Sequence, residues 1–459
     1  MKTKRILVLL KYYQGELNPF DGAALECALE SGAKEIIALT MAPRYAWNAF
    51  QSLTRLGVKG VFVTDTLFAG SDTQATVLVL EKAIEKIKPD LIFCGRQSVD
   101  GDTGQVPPML AQKLGFSYKS RVMRFEKERV SLRGGENTVL QNNMVVTFEK
   151  IRTLRFPSMF SKMSEVEIWD NGVLNVPQEQ CGLQGSPTRV LKSYESSVGR
   201  RDCQFVDRET LPILIEKGLQ KQPRQQTQAT GEKLEKAYFV GDVKNIAESV
   251  ARNAMRLDVD NQSVEEVAEY LQENHVPAVL WEDREEYKVK AAQVAVLTGA
   301  GICADCISFR VEQGKLIMTR PALGGNVTAD IIAKSQMSFA TVRTVKKENV
   351  DVIFSVGKGG IAYIDQIAEL AKIYNAEICC SRIVADSGKL PYEKQVGLTG
   401  KTVCPKVYVA FGISGAVQHT CAIAGAGTVI AVNTDRQARI FDYADFGIVD
   451  DIKNISIGE

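Results

Sequence analysis

The residues best suited to chemistry crowd into the last quarter of the chain, between Ser381 and Asp451. Ser381-Arg382 closes one apolar run, and a turn-rich loop (PYEKQVGLTGKTV, 391–403) follows. Gly412-Ile413-Ser414-Gly415-Ala416-Val417-Gln418-His419 then takes a strand toward a helix, and Asn433-Thr434-Asp435 ends the next apolar run. Strand, Gly-rich turn, helix and a second strand with a polar end is the physical plan of a dinucleotide site. Bare amides meet the pyrophosphate, and the polar strand end meets a ribose or adenine. Two other chemistries fit less well. Ser414 on a strand-to-helix turn suggests a hydrolase nucleophile, but the motif reads G-I-S-G rather than G-x-S-x-G. His275 and His419 are the only candidate bases, and His419 lies five residues along the same segment, unlike the distant base of a triad. Cys303-x-x-Cys306 is a single pair without a second pair at zinc spacing, so buried thiols explain it better.

A second candidate is the stretch 95–108 (GRQSVDGDTGQVPP), which lies between an apolar run and a helical segment. A small-residue loop there sets backbone amides and a helix N-terminus at the carboxyl edge of a sheet, which suits a nucleotide phosphate. Arg96 adds a charge and Thr103 a hydroxyl. The plainer reading is a capped turn, since Gly and Asp are ordinary turn residues. A third stretch, Arg155-Phe156-Pro157-Ser158-Met159-Phe160, sets large apolar groups beside a proline that breaks regular pairing. It is either a return into the core or an apolar anchor for a partner.

The elements that must position these residues follow from periodicity. Short apolar runs alternate with helical-period segments throughout, which predicts an α/β fold of three lobes with parallel sheets. Strands are expected at 6–10, 35–39, 60–63 and 90–94. Asn18, with Pro19 behind it, is expected to cap the first helix, and Ser71-Asp72-Thr73 a helix over 74–87. The stretch 222–236 (QPRQQTQATGEKLEK) has linker composition. Helical patterns cover 242–273 and 286–297. Strong alternation resumes with strands at 350–356, 407–411 and 428–432, a helix at 361–374 and another from Ser414. The expected domains are 1–215, a linker 216–240, 241–345 and 346–459, the last Rossmann-like.

Composition excludes several classes. Of 459 residues 45% are apolar and 24% charged, enough for several cores, and the formal charge of +1 offers no field to recruit nucleic acid. The apolar run near the N-terminus is too short for a signal sequence, and no stretch approaches a membrane span. Ten scattered cysteines lack a disulfide spacing, so a reducing cytoplasm is expected.

The motifs together resemble a known family. The stretch 95–106, with NPFD at 18–21 and SDTQAT at 71–76, is similar to the nucleotide loop of the electron transfer flavoprotein beta subunit. SR at 381–382, LPYEKQVGLTGKTVCPKVYVAFGISGAVQH at 390–419, AVNTD and FDYADFGIVDDI resemble the alpha subunit's FAD-binding domain, while CADC (303–306) and TRPALGGN (319–326) resemble its N-terminal domain. The resemblance implies both subunits in one chain. It implies FAD held by Arg382 against the ring, by Gln395, Val396, Gly397, Thr399 and Gly400 along it, and by His419 near O2. It further implies Ser414, Gly415 and Gln418 at the pyrophosphate side, Lys358 in the turn after the domain's first strand, and Asn433, Asp435 and Asp451 at the adenosine end.

In the beta-like part the resemblance implies a second FAD or an AMP held by Leu9, Asn18, Asp21, Met41, Thr73, Thr76, Gly95, Arg96, Gln97, Asp100, Gly101, Asp102, Thr103, Gln105 and Val106. Gly101 within DGDT resembles the two-FAD, electron-bifurcating type, which implies NADH as donor. Phe156 and Met159 would dock an acyl-CoA dehydrogenase-like flavoenzyme of fatty-acid β-oxidation, with a ferredoxin, flavodoxin or quinone-linked acceptor as second partner. A flexible hinge near residue 346 is implied too. Three departures stand out. The stretch before Asn18 is short, Pro107 replaces a common glycine, and the family's Gly-Gly-Arg-Gly turn reads Val356-Gly357-Lys358-Gly359. A single-FAD carrier with structural AMP and a non-redox nucleotide-binding adaptor are the alternatives.

Overall fold

The computed structural model describes residues 1–2, 4–195, 199–223, 230–344 and 350–455. The chain forms two compact units. The first comprises Met1–Lys192, Ala229–Leu323 and Ala329–Val342. The second comprises Ser193–Gln228, Gly324–Thr328 and Arg343–Glu459.

The first unit is built on a nine-stranded sheet. In chain order its elements are β1 (Arg5–Leu10), α1 (Pro19–Glu30), β2 (Glu35–Met41), β3 (Lys59–Val63), α2 (Thr73–Ile87), β4 (Leu91–Gly95), α3 (Val106–Leu114), β5 (Ser117–Glu126), β6 (Arg129–Leu132), β7 (Asn137–Val139), β8 (Met144–Phe148) and β9 (Val166–Trp169). The strand order is β9-β3-β2-β1-β4-β8-β5-β6-β7, parallel except at β5-β6-β7. The chain runs from β1 to β2 and β3 on one side, then returns to place β4 on the other. The order therefore reverses between β1 and β4, where α/β sheets open a crevice at their carboxyl ends. Strands buried on both faces explain the unbroken apolar runs, such as Ile6 to Leu10 and Leu91 to Cys94.

A second parallel sheet in the same unit has β10 (Leu234–Val240), β11 (Ala251–Arg256), α4 (Val264–Glu273), β12 (Ala278–Glu282), α5 (Glu285–Thr298), β13 (Gly301–Cys306) and β14 (Ser338–Val342), in the order β11-β10-β12-β14-β13. One apolar core joins the two sheets: Ile84, Met109 and Leu110 share it with Leu271, Ala292 and Trp281. Gln74 from α2 ties the sheets further, donating to the carbonyl of Ala295 at 3.2 Å. The continuous helix expected over 242–273 is not found. Residues Lys244–Val250 are helical, but Ala251–Arg256 pairs in parallel with β10 as an edge strand before α4 begins. Sheet pairing outweighs local propensity there. Within the stretch of linker composition, 224–229 lies outside the described residues, while β10 already begins at Leu234.

The second unit holds β15 (Val352–Val356), α6 (Ile364–Ile373), β16 (Glu377–Cys380), β17 (Val407–Phe411), β18 (Thr428–Asn433) and β19 (Phe446–Val449). Gln204–Phe205 adds a short edge strand, giving the order Gln204–Phe205, β19-β18-β17-β15-β16. All pairings are parallel. Phe354, Val409 and Ile430 face one core, and Ile353, Tyr408 and Ala431 the other, as a doubly covered sheet requires. Again the order reverses beside the first strand, between β15 and β17. The helix expected from Ser414 is shorter than the sequence suggests: Gly415 takes φ +87°, and only Val417–Thr420 forms one turn. Strand β16 ends at Cys380, so Arg382 opens the short helix Arg382–Asp386 instead of closing a strand. The hinge expected near residue 346 lies outside the described residues. Among the described residues no helix is long and apolar enough to cross a membrane.

Candidate functional site

In the first unit the ends of β1 and β4 are clamped by one carboxylate. Asp21, in the first turn of α1, accepts from the Lys11 amide at 2.8 Å and from the Gly95 amide at 2.8 Å. Burial pushes its carboxyl up to about 7, although bonds from the Lys11 backbone, the Asn18 side chain and the Gly95 backbone favour the charged form. A cavity of about 1120 Å³ opens above this clamp. Fourteen of the fifteen residues that the sequence suggests for the second nucleotide line it: Leu9, Asn18, Asp21, Met41, Thr73, Thr76, Gly95, Arg96, Gln97, Asp100, Gly101, Thr103, Gln105 and Val106. Asp102 lies just behind the wall, where it accepts from the Gln97 amide at 3.0 Å and braces the loop.

The roles of individual residues differ from the simple expectation. Asn18 sits at the N-cap of α1 but does not cap it; its amide donates to the Gln97 carbonyl at 2.9 Å, tying α1 to the loop. Asp72 does cap α2, accepting from Gln74 and Ala75 at 3.0 Å each. Arg96 lines the cavity, with Nε and Nη2 buried and lacking hydrogen-bond partners among the described residues. It pairs with Glu149 at 3.1 Å and its guanidinium lies 5.4 Å from the Phe20 ring centroid. Lys11 also brings charge to the mouth, paired with Asp100 at 2.8 Å.

The cavity fits a polar ligand. Asn18 Oδ1 and both amide atoms of Gln105 are buried and lack hydrogen-bond partners among the described residues. Such orphaned groups are costly and mark a place where a ligand or water belongs. The same holds for Nε and Nη2 of Arg320, which lines the cavity from the strand Lys315–Ala322 together with Ile302, Cys303 and Ala304. The sequence reading missed Arg320. It stands inside TRPALGGN, and a lone arginine among core-like residues was the available signal.

In the second unit the crevice between β15 and β17 is walled by bare backbone. The Gly357 amide donates to the Phe411 carbonyl at 2.8 Å, and the Gly359 amide to the Gly412 carbonyl at 3.1 Å. A Cβ on Gly357 would overlap the Gly412 carbonyl, so this close approach requires glycine. Lys358 is exposed at the tip. Along the following loop Ser414 and Gln418 are exposed and Gly415 is buried between them.

The loop of Gln395, Val396, Gly397, Thr399 and Gly400 packs against the same segment: the Leu398 amide donates to the Gln418 carbonyl at 2.6 Å. Gln395 is buried and its amide donates to Thr399 Oγ1 at 2.8 Å. Arg382 pairs with Asp386 at 3.3 Å, and Asp386 also accepts from the Tyr392 hydroxyl at 2.7 Å. Asn433 ends β18, donating to the Ile413 carbonyl at 2.9 Å and accepting from the Asp435 amide. Asp451 caps the turn Ile452–Asn454; the Lys453 amide, with Tyr363 and the Lys453 ammonium, holds its carboxyl below the usual range. His419 is buried against Tyr408, and burial pulls its imidazole down to about 4.

The third candidate is a surface. Phe156, Met159 and Phe160 are 95%, 90% and 93% exposed. Arg55 holds this loop by donating to the carbonyls of Ser158 at 2.9 Å and Ser161 at 3.1 Å, and Arg155 is clamped by Glu26 at 2.8 Å. A return into the core does not occur for these three side chains. Neither Arg55 nor Glu26 was singled out from the sequence, because each stands in an ordinary helical segment.

Two doubly wound sheets, each with a glycine-walled crevice at its switch point, define a nucleotide-binding α/β protein. Comparisons with known proteins narrow this. Residues 347–424 match the electron transfer flavoprotein FAD-binding domain, and residues 6–146 with 255–351 match the electron transfer flavoprotein domain. The second match alone covers more than half of the chain, and the chain belongs to the electron transfer flavoprotein family.

Both subunit types are among its relatives. The alpha subunit of Thermoanaerobacterium thermosaccharolyticum is 34% identical over 208 residues, covering 35% of this chain and 63% of that subunit. The beta subunit of the same organism is 33% identical over 202 residues, covering 40% of this chain and 77% of that subunit. The acryloyl-CoA reductase electron transfer subunit beta of Anaerotignum propionicum is 35% identical over 210 residues, covering 34% of this chain and 57% of its own length. The chain thus spans less than two thirds of the alpha-type relative.

Proposed function

We propose that this chain is a single-chain electron carrier in which the FAD at the second unit's switch point exchanges electrons with a flavoenzyme partner. The observation that carries this reading is the bare-backbone crevice between β15 and β17 inside the segment that matches the FAD-binding domain. FAD supplies the redox chemistry, accepting one or two electrons and passing them on. The chain's own residues bind and tune it. Lys358, Ser414 and Gly415 offer amides and one charge to the pyrophosphate, while the amides of Gly357 and Gly359, bonded to Phe411 and Gly412, hold the glycine wall in place. Lysine here lacks the bidentate fork of arginine, so that contact is looser than the usual family turn provides. Arg382 brings positive charge, steadied by Asp386. Thr399, oriented by Gln395, brings a hydroxyl, and His419 a ring nitrogen. Asn433, Asp435 and Asp451 take the adenosine end.

The first unit's cavity takes a second adenine nucleotide. Its volume of about 1120 Å³ exceeds the roughly 300–1,000 Å³ of sites for drug-sized ligands, so a dinucleotide has room. That favours FAD over AMP. Gly101 lines this cavity, and a Cβ there would crowd Ser98 Oγ at 3.3 Å within the loop. With two FADs the reading extends to electron bifurcation from NADH. The exposed Phe156–Met159–Phe160 loop is the docking element, and an acyl-CoA-linked flavoenzyme is the partner favoured by the named function of the Anaerotignum relative. The test is to purify and denature the protein, then count FAD and AMP per chain by chromatography. Two FADs and reduction by NADH support bifurcation. One FAD with one AMP reduces the protein to a simple carrier, and absence of flavin sinks the carrier reading in favour of an adaptor.

A further inference from the structure

Cys303 and Cys306, which neither nucleotide site employs, are brought together by a bulge in β13. Cys303 pairs with Ala340 of β14 and Cys306 with Val342, so three steps along β13 match two along β14. The extra residue is taken up with Asp305 in the left-handed region at φ +56°, its amide donating to Thr341 Oγ1 at 2.9 Å. A regular strand sends residues three apart to opposite faces. Here both side chains join one core. The Cys306 thiol donates to the Cys303 carbonyl at 3.5 Å and is bonded to the Cys303 side chain as well. Two steps of β14 span about 6.6 Å, and the Cα atoms of a disulfide stand roughly 4.4–6.8 Å apart. The bulge therefore holds two free thiols at a separation that one bond closes. Cys379 and Cys380, adjacent in sequence, face opposite cores instead.

The two thiols are not equivalent. Cys303 lines the first unit's cavity, along with Ile302, Ala304 and Arg320, whereas Cys306 is fully buried and forms no part of that wall. Burial, and then the bond to Cys303, hold the Cys306 thiol well above its ordinary range; Arg320 is the nearby charge that favours its thiolate. We propose that Cys303 and Cys306 are a site of reversible disulfide formation, entered from the first unit's cavity by a small-molecule disulfide. The Cys303 thiolate attacks one sulfur of that disulfide, forming a mixed disulfide, and its proton passes to the small thiolate released. The Cys306 sulfur then attacks the Cys303 sulfur, closes the bond between them, and expels a second small thiol that leaves with the Cys306 proton. Two protein thiols are oxidised, and one small disulfide is reduced to two thiols. Held in contact with Cys303, Cys306 outcompetes thiols in solution without a low pKa.

Oxidised glutathione is the probe, and disulfide mapping after alkylation is the readout. The expected result is a Cys303–Cys306 disulfide in the native chain, formed within hours and reversed by dithiothreitol. Two thiols that persist in the native chain overturn the proposal. Cys306→Ser is expected to stop the reaction at a mixed disulfide of Cys303 with glutathione, and Cys303→Ser to leave Cys306 unmodified. Glutathione on Cys306 in the second variant overturns the route through the cavity. Should either variant fail to fold, the map of the intact chain still decides whether the pair closes. Protection by a ligand rests on the reading that an adenine nucleotide fills this cavity. FAD or AMP, whichever the first unit takes up, is expected at roughly ten times its Kd to slow closure about tenfold by occupancy alone. An unchanged rate in a chain whose first unit binds nucleotide overturns the cavity route. A first unit that binds none overturns that reading, and the map alone then judges the dithiol.

Discussion

The Asp21 carboxylate and the Gly95 amide are locked 2.8 Å apart across the first unit's switch point, and a Cβ on Gly95 would overlap the same carboxylate oxygen. The other oxygen takes the Lys11 amide at 2.8 Å. One buried side chain on α1 thus fixes the spacing of the two strand ends that floor the first unit's cavity.

Gly95→Ala should therefore act on the floor of the cavity and not merely on a turn. Forcing a methyl group into this contact costs about 1–3 kcal/mol of stability, and displacing Asp21 should loosen nucleotide binding in the first unit while flavin in the second unit stays bound. Thermal melts and nucleotide counts on the variant check both halves.

The raised carboxyl of Asp21 also predicts a pH dependence. Its folded value of about 7 lies above the ~3.9 of an unfolded aspartate. Between these values the native state holds a proton that the unfolded state has lost, so this group's stabilising contribution falls as pH rises from about 4 to 7. Asp21→Asn should flatten that slope. It should also cost about 1–3 kcal/mol, because its NH2 group cannot accept from a backbone amide. Denaturant unfolding across this pH range measures both; an unchanged slope would count against the buried proton.

Much of this arrangement is legible in the sequence. Strands buried on both faces read as unbroken apolar runs, and the residues around the cavity come from three compact motifs with recognisable chemistry. What escapes is set by tertiary contacts. Ala251–Arg256 has no strong strand pattern and becomes one because β10 offers an edge. Ser414 resembles a helix start, yet Gly415 keeps the chain open for another residue or two. Arg96 stands in a motif the sequence shows, but its ion pair with Glu149, more than fifty positions later, is not visible there. Arg320 lines a cavity built mostly from motifs more than two hundred positions earlier, and no local spacing announces that placement.

Gly357 offers a test that the two crevices work separately. Gly357→Ala would drive a methyl group into the Gly412 carbonyl, spreading β15 from β17 at the site proposed for the pyrophosphate. FAD retention in the second unit should fall at least tenfold, while the first unit's nucleotide remains. Loss of both nucleotides together would instead indicate general unfolding, which circular dichroism distinguishes.

Arg320 should matter to the first unit's ligand. It is a buried cation on the cavity wall, with two nitrogens lacking acceptors among the described residues. A charge-assisted hydrogen bond from it is worth about 1.5–3 kcal/mol, so Arg320→Gln should weaken nucleotide binding there roughly tenfold or more. Equilibrium dialysis with FAD and with AMP would measure this, and equal affinity in both proteins would make Arg320 a structural residue only.

The exposed loop makes the last prediction. Phe156 and Met159 are almost wholly exposed, while Arg55 grips the backbone on either side of Met159. If this is the docking element, the apolar tips supply affinity and Arg55 supplies preorganisation, and the two should separate experimentally. Phe156→Ala with Met159→Ala should weaken association with a flavoenzyme partner by about 2 kcal/mol or more, leaving flavin content untouched. Arg55→Ala should weaken association less, because it only restores freedom to a loop whose contacts remain available. It should also speed amide exchange across 158–161. Kinetics of electron transfer at varied partner concentration, set beside exchange measurements on the free protein, would resolve the two effects; equal losses without faster exchange would mean that Arg55 touches the partner itself.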